Sequence, residues 1–465
     1  MNRLLYRLFS SFTLLAGCAA PMTRAQPAAQ PQAPAEVRGT WVTTTGNDAV
    51  ANPANSAATM KRLREIGLNT VYVECWKNGY TEWPSDAMKQ LVGVPMKVNG
   101  APANLQRDLV QETTIEAHRN GLVAIAWMEY GFMASYKDTK NELRALGLKE
   151  GWLTTNQAGE VVGKQNAFVW MNPLHPKPQQ LLIDLAVELV TKYDVDGVQL
   201  DDRIAMPVEM GYDPYTTELY RKEHNGQNPP ENHRDPAWVQ WRADKITEYA
   251  KRFAREVRKA AGRDIIVSVS PAPYPWSLEN YCCDWPKWTK FQGDERWDEY
   301  VPQNYRMNGE ATIKSIQQCV DAIPADAKKL LYGGIRLVGD GPDMPAADIK
   351  SILDYTRSAQ IGGHVHWFSR GVLNVFPNEL TAYYGVARNG PAPHPLRPNH
   401  RKPAVAAEKQ GAAWHARDVT TATPLIWIVK KDGRWSYGPR VDTDAKPILP
   451  DAGYEAAELI PYHGK

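Results

Sequence analysis

The chain is poor in cysteine, poor in phenylalanine and nearly without net charge. It has five Cys in 465 residues. Cys18, Cys75, Cys282, Cys283 and Cys319 match no zinc-ligand spacing. That excludes a zinc-finger scaffold and a small disulfide-dense domain. Cys282 and Cys283 are neighbours, which is poor geometry for pairing with each other. Cys75 sits in a strand pattern and reads as a buried free thiol. A formal net charge of +2 excludes nucleic-acid binding driven by bulk electrostatics. Beyond the first twenty residues, no stretch reaches the roughly 18 unbroken apolar residues of a membrane helix.

What is abundant is tryptophan and tyrosine, 16 and 21 against 8 Phe. Both offer a flat apolar face and a hydrogen-bonding edge, which suits a large core and also suits sugar rings. Many of these Trp stand beside acids rather than in apolar runs, which favours the sugar reading.

The first residues read MNRLLYRLFSSFTLLAGCAA. Arg3 and Arg7 make a positive start and Leu8 to Ala16 a short apolar core, the pattern of an export signal. Leu15-Ala16-Gly17-Cys18 resembles a bacterial lipobox. The resemblance implies cleavage before Cys18 and lipid attachment to it. Residues 1–18 are therefore expected to be a lipoprotein signal. The protein is expected in the cell envelope, held to a membrane through Cys18. Residues 19–35, rich in Pro, Ala and Gln, read as a flexible linker.

From residue 36 to 390, apolar runs of strand length alternate with helical periodicity. The runs are RGTWVTT (38–44), NTVYVECW (69–76), GLVAIAWMEY (121–130), VDGVQLDD (195–202), DIIVSVSPAP (264–273), EYVPQNYR (299–306), LLYGGIRL (330–337) and GGHVHWFS (362–369). Eight such units predict an α/β fold, a (β/α)8 TIM barrel with enlarged loops, the largest from Arg203 to about Arg234. The helix after that loop should start with Asp235 as N-cap and Pro236 in its first turn. Residues 391–403 are Pro-rich and read as a linker. Residues 404–465 read as a small β-rich region with a hairpin turning at Asp432-Gly433. That region is read equally as a binding module or a structural appendage.

Chemistry in such a barrel sits at the C-terminal ends of the strands. Alternation places Gln199 and Asp201 on one face of the fourth strand, and Val198 and Leu200 on the other. Asp201 is the leading catalytic candidate. Asp202 opens the following loop, where it could orient a partner or bind hydroxyls. Asp194 and Asp196 flank the strand's start, on the side of stability. The second strand puts Glu74 in phase with Tyr72 and Trp76, and the third puts Glu129 in phase with Trp127. Two carboxyl groups are what glycoside hydrolysis needs, one as acid and one as nucleophile or base. Burial among aromatic rings suits the acid, because it raises a carboxyl pKa. Glu129 is placed ahead of Glu74 as proton donor. The expected substrate contacts are Arg38, Trp41, Trp76, Trp127, Asn172, Gln199, Ser270, Gln303, Asn304, Tyr305, Arg336, His366 and Trp367. His364 and His366 have a metal-ligand spacing. Without further His at other strand ends, no metal and no cofactor is expected.

Several of these segments recur together elsewhere. EVRGTWVT, LNTVYVECW, WMNPLHP, YDVDGVQLDD, VSVSPAP and YVPQNYR resemble the glycosyl-hydrolase-like 10 family of bacterial proteins, over about residues 36–390. The resemblance implies a barrel, an envelope lipoprotein and glycosidase activity, in some members on peptidoglycan strands that have lost their peptides. DGVQLD is also similar to the fourth-strand motif of alpha-amylase-like barrels, whose nucleophile position falls on Asp201. The fifth-strand acid of those barrels has no counterpart here, since Pro271 follows Ser270. Where many relatives have Asn on the third strand, this chain has Glu129. The readings carried forward are a glycoside hydrolase, a non-catalytic glycan-binding lipoprotein, and a metal-dependent amidase or deacetylase using the two His.

Overall fold

Eight short parallel strands close around one axis, and helices cover their outside. In the computed structural model, the described residues are 33–96, 107–137, 139–164, 167–386, 390–398, 404–416, 419, 424–441 and 447–462. Cys18 and the expected signal segment lie outside them. The barrel strands are β1 (Val37–Val42), β2 (Thr70–Glu74), β3 (Val123–Met128), β4 (Gly197–Asp201), β5 (Ile266–Ser270), β6 (Glu299–Tyr300), β7 (Tyr332–Arg336) and β8 (Gly363–Trp367). They pair in the order 6-5-4-3-2-1-8-7. Bridges Tyr300 to Leu331 and Gln303 to Gly334 join β6 to β7 and close the ring. All eight expected strands are present. The sixth is shorter than expected, since Pro302 can donate no hydrogen bond to a ladder.

Alternation sorts the side chains as a filled barrel requires. Inside, the Trp41 indole N–H reaches across from β1 to Gln199 on β4 at 2.8 Å, and Tyr72 on β2 reaches Glu299 on β6 at 3.0 Å. The glycine that opens β4 answers to this crowding. A Cβ on Gly197 would lie 2.7 Å from Ile125 Cδ1 and 2.5 Å from the Ile266 carbonyl oxygen.

The outer layer holds α1 (Pro53–Ile66), α2 (Leu109–Arg119), α3 (Pro176–Lys192), α4 (Pro236–Ala261), α5 (Gly309–Asp321), α6 (Ala346–Ser358) and α7 (Pro377–Tyr384). The long α4 starts as expected, with the Asp235 carboxylate accepting from the Ala237 and Trp238 amides at 3.0 Å. The loop expected over 203–234 carries a helix of its own, Pro214–Glu223, capped by Asp213.

Below the strands' N-terminal ends, residues 390–398 pack as a plug rather than hang as a free linker. The Glu36 amide donates to the Pro393 carbonyl, His394 is buried beside Glu299, and Arg397 pairs with Asp264 at 2.9 Å. Asp196 faces this end and accepts from His118 at 2.9 Å.

The C-terminal region forms an antiparallel sheet of β9 (Val405–Gln410), β10 (Ala413–Ala416), β11 (Leu425–Lys431), β12 (Arg434–Val441), β13 (Ile448–Pro450) and β14 (Ala456–Pro461), in the order 12-11-14-9-10-13. Asp432 and Gly433 make the β11–β12 turn, both at positive φ. This sheet packs on α2, where Ile115 is buried with Ile426, Ile428 and Ile460.

Candidate active site

Glu74, Glu129, Asp201 and Asp202 meet at the C-terminal mouth of the barrel. Two cations sit among them. Arg203 Nη1 donates to Asp201, lies 3.0 Å from an Asp202 oxygen, and reaches the Glu129 carbonyl at 3.1 Å. Lys77 Nζ lies 2.9 Å from Glu74 and 3.3 Å from Glu129. A short hairpin after β2 delivers Lys77. Its strands Trp76–Lys77 and Tyr80–Thr81 turn at Asn78-Gly79, both at positive φ. The β3 loop is fastened to the β4 loop by the Phe132 amide, which donates to the Arg203 carbonyl at 3.0 Å. Gly131 (φ +43) permits that approach, since a Cβ there would sit 2.7 Å from the same oxygen.

Asp201 is the most heavily held of the four. Besides Arg203, its carboxylate accepts from the Ser270 hydroxyl at 3.0 Å and from the Gln303 amide. Glu74 accepts from the Thr44 hydroxyl and from Lys77. The four differ in access. Side-chain exposure is 0% for Glu74, 2% for Asp201, 12% for Glu129 and 19% for Asp202. Asp202 lines an open cavity of about 340 Å³ with Ala272, Pro273, Trp276, Gln303, Tyr305 and Arg306.

Four carboxyl groups against two cations leave the mouth short of positive charge. Burial and then the neighbouring Glu129 push the Glu74 carboxyl up to about 8, with Lys77 opposing. Burial and the adjacent Asp202 carry Asp201 well above the usual carboxylate range, against the pull of Arg203. Burial also raises Asp202. The cluster can thus keep a proton at neutral pH while other members stay ionised, the division that acid–base chemistry on a glycosidic bond requires.

The aromatic side chains form a floor. Trp41 lies 6.3 Å from Trp127, 6.1 Å from Trp367 and 6.2 Å from Tyr305 between ring centroids. Trp367 and Tyr305 are half-buried. Gln199 lies beneath, bonded to Trp41 and Ser268. Of the residues expected at the site, the structure brings together Asp201, Asp202, Glu74, Glu129, Trp41, Trp127, Gln199, Ser270, Gln303, Tyr305 and Trp367.

Six others face away from the mouth or are committed to protein partners of their own. Arg38 is buried on the outer face of β1, paired with Glu36 at 2.8 Å and stacked on Tyr384. His366 also faces outward, and its Nε2 shares the Tyr384 hydroxyl with that of His364, each at 2.8 Å. This removes the His pair from the mouth. Asn304 turns to α5, where it accepts from Ser315. Asn172 spends its amide on Asp213 and Thr216. Trp76 is fully buried and donates to the Gly131 carbonyl. Arg336 is at the rim but holds its own loop through the Asp340 and Pro342 carbonyls. Sequence reasoning weighed Arg203 as a partner for the strand-end acids, and the structure pairs it with Asp201. It missed Lys77, which the Asn78-Gly79 pair, a strong hairpin signal, could have placed.

The family model described as Glycosyl hydrolase-like 10 matches residues 36–335. The chain belongs to this family. The match spans seven of the eight barrel strands and every acid at the mouth. Among curated proteins, the family member is similar to Glycosyl hydrolase DigH of Escherichia coli (strain K12), 26% identical over 195 residues. That stretch covers 38% of this chain and 44% of the relative, less than half its length. Among solved structures, the fold is similar to the PgaB (BpsB) glycoside hydrolase domain from Bordetella bronchiseptica, with TM-score 0.53 and 15% identity, covering 76% of this chain and 99% of that one. It is similar also to the catalytic domain of beta-amylase from Paenibacillus polymyxa, with TM-score 0.53 and 10% identity, covering 76% and 98%. At such identities these likenesses speak for the barrel.

Proposed function

We propose that this protein is a glycoside hydrolase acting on a polysaccharide, with peptide-free peptidoglycan strands as the leading substrate. The observation that carries the reading is the cluster of four carboxyl groups and two cations on an aromatic floor at the barrel mouth. Asp201 is the nucleophile or base in the state of the cluster in which Arg203 balances its ionised carboxylate and the retained proton lies on a neighbouring acid. Ser270, Gln303 and Arg203 fix its orientation. Glu129 is the proton donor, because its carboxyl is more open than that of Glu74 and pairs with Lys77 rather than with the Arg203 that holds Asp201. Glu74 keeps a proton behind Lys77 and tunes the field at Glu129. A second reading exchanges Asp201 for Asp202, favoured by the greater exposure of Asp202 and its place on the cavity wall.

The test is digestion of a glycan panel that includes peptide-free peptidoglycan, with products read by mass spectrometry. The expected outcome is cleavage by the parent and a severe loss of cleavage in Asp201→Asn. Binding without cleavage of any glycan would replace the hydrolase by a glycan-binding protein. We further propose envelope anchoring through Cys18, motivated by its lipobox-like context. Cys18→Ser should then release the protein from membranes and abolish lipid labelling. Unchanged fractionation would refute the anchor.

A further inference from the structure

We infer that Trp276 and Arg306 form a sugar subsite beside the catalytic acids, one that receives a unit carrying a carboxylate. The inference rests on the glycoside-hydrolase reading for its place in catalysis, but its binding chemistry can be measured apart from it.

Trp276 is the first observation. Of the sixteen tryptophans, it alone among the described residues belongs with the exposed large apolar side chains, at 41% exposure. Leaving an indole in water forfeits the stabilisation that burial would bring, and this one lines the cavity onto which Asp202 opens, where its flat face is offered to a sugar ring. Its ring stands edge-on to Tyr281 at 4.9 Å, and the short helix that carries it is tied by the Asn280 side chain, which donates to the Trp276 backbone carbonyl. A stacking platform held this way loses little rotamer freedom when a sugar ring settles on it.

Arg306 is the second, independent observation. It lines the same 340 Å³ cavity, with Trp276 and Asp202. Its described hydrogen bond uses Nη1 on the Tyr305 carbonyl at 2.9 Å, and it joins no ion pair among the described residues. Arg203, the neighbouring guanidinium, is already committed to Asp201 and Asp202. Arg306 therefore keeps N–H donors for something that enters the cavity. A guanidinium fork matches a carboxylate in shape and charge. Next to Asp202 an anionic sugar would otherwise be repelled, so an uncommitted cation is what makes that sugar acceptable. The volume suits one ring with its substituent. A uronic acid and a sugar with an acid joined through an ether present the same carboxylate, and the test separates them.

The probes are an oligoglucuronate, a peptide-free strand containing N-acetylmuramic acid, that strand with its carboxyl groups reduced to alcohols, and chitotetraose. Isothermal titration calorimetry reads the affinity of the parent and of every variant, and acrylamide quenching of tryptophan fluorescence adds, in the parent, a readout of cover over the exposed Trp276 and the half-buried Trp367. One or both acidic probes should protect the parent from quenching, and the reduced strand and chitotetraose should bind about tenfold more weakly, the scale of one charge-assisted pair. Arg306→Gln should erase that preference and Arg306→Lys restore part of it. Trp276→Ala should weaken acidic and neutral probes alike. On any probe that is cleaved, Arg306→Gln should raise KM with kcat little changed. Circular dichroism and melting curves check that each variant is folded. Equal affinity of parent and Arg306→Gln for every probe would overturn the subsite. Binding through Arg306 with no probe cleaved would keep the subsite and refute the hydrolase. Cleavage of glycans indifferent to Arg306 would do the reverse.

Discussion

Asp201 and Asp202 are adjacent in sequence yet meet different surroundings. Asp201 points along the barrel axis into Ser270 and Gln303, and Asp202 points to the open cavity. Replacing Asp201 by Asn keeps its shape and removes the charge, so glycan cleavage should fall by roughly a hundredfold or more, as for other positioned acid–base groups. Asp202→Asn should cost less. The opposite order in kcat would make Asp202 the working carboxylate. Glu129→Gln should lose activity on natural glycans and regain it on substrates with good leaving groups, which need no proton. Absence of that recovery, together with recovery in Glu74→Gln, would transfer the donor role to Glu74. Glu74 also makes a stability prediction. Its folded pKa lies at about 8 against an ordinary 4.5, so between those values the folded state holds a proton that the unfolded chain has released. Stability should therefore decline as pH rises through that window, and Glu74→Gln should flatten the decline in melting temperature. An identical pH profile in the variant would count against the buried proton. The sequence made these acids legible because strand alternation and the barrel's polarity together fix where a terminal carboxylate must point. The same alternation, applied strictly, separates His366 from Trp367 and Asn304 from Gln303, so those two misplacements were avoidable. Lys77 was harder, since its position depends on a hairpin beyond the strand end.

The strands were readable one by one because each is a short apolar run bounded by polar turns, and their count implied closure. Their exact lengths were not, as Pro302 shows in β6. Helix starts were legible where a capping side chain precedes a proline. Asp235 and Pro236 are the clear case, and α4 begins there. That cap carries a prediction. Asp235→Ala removes the acceptor for two helix amides, so it should lower stability by about 1 kcal/mol while leaving glycan binding intact. Chemical denaturation measures it. No loss of stability would mean that the buried face of α4, with Trp238, Ile246, Tyr249 and Phe253, holds the first turn by packing alone. The insertion between β4 and β5 was less legible. Its helix Pro214–Glu223 is polar on most of its surface and is tied down by Asp213 to Thr154, Thr216 and Asn172, contacts that no local pattern announces.

The C-terminal sheet is joined to the barrel by specific chemistry rather than by a tether. Arg119 at the end of α2 grips the two Glu458 oxygens at 2.7 Å each and lies 4.2 Å from the centre of the Trp435 ring. Beside it, Ile115 is fully buried among Ile426, Ile428 and Ile460, three residues the barrel does not supply. The plug of residues 390–398 adds a second attachment at the opposite end of the strands from the mouth. Residues 32–465 accordingly make one compact unit. Removing 404–465 would strip Ile115 of its cover and leave Arg119 without two of its partners. Each buried aliphatic side chain exposed in this way costs about 1.5–3 kcal/mol, a large share of a typical folding free energy. A chain ending at 403 should therefore melt at a clearly lower temperature than the parent. The full-length protein should unfold in one cooperative transition monitored by both Trp fluorescence and circular dichroism. Ile115→Ala offers a gentler version, with an expected loss of about 2–5 kcal/mol in the full-length protein. In the truncated chain that same substitution should cost far less, since its partners are already gone. Equal costs in the two backgrounds, or a truncated chain as stable as the parent, would show the sheet to be an independent module resting on the barrel.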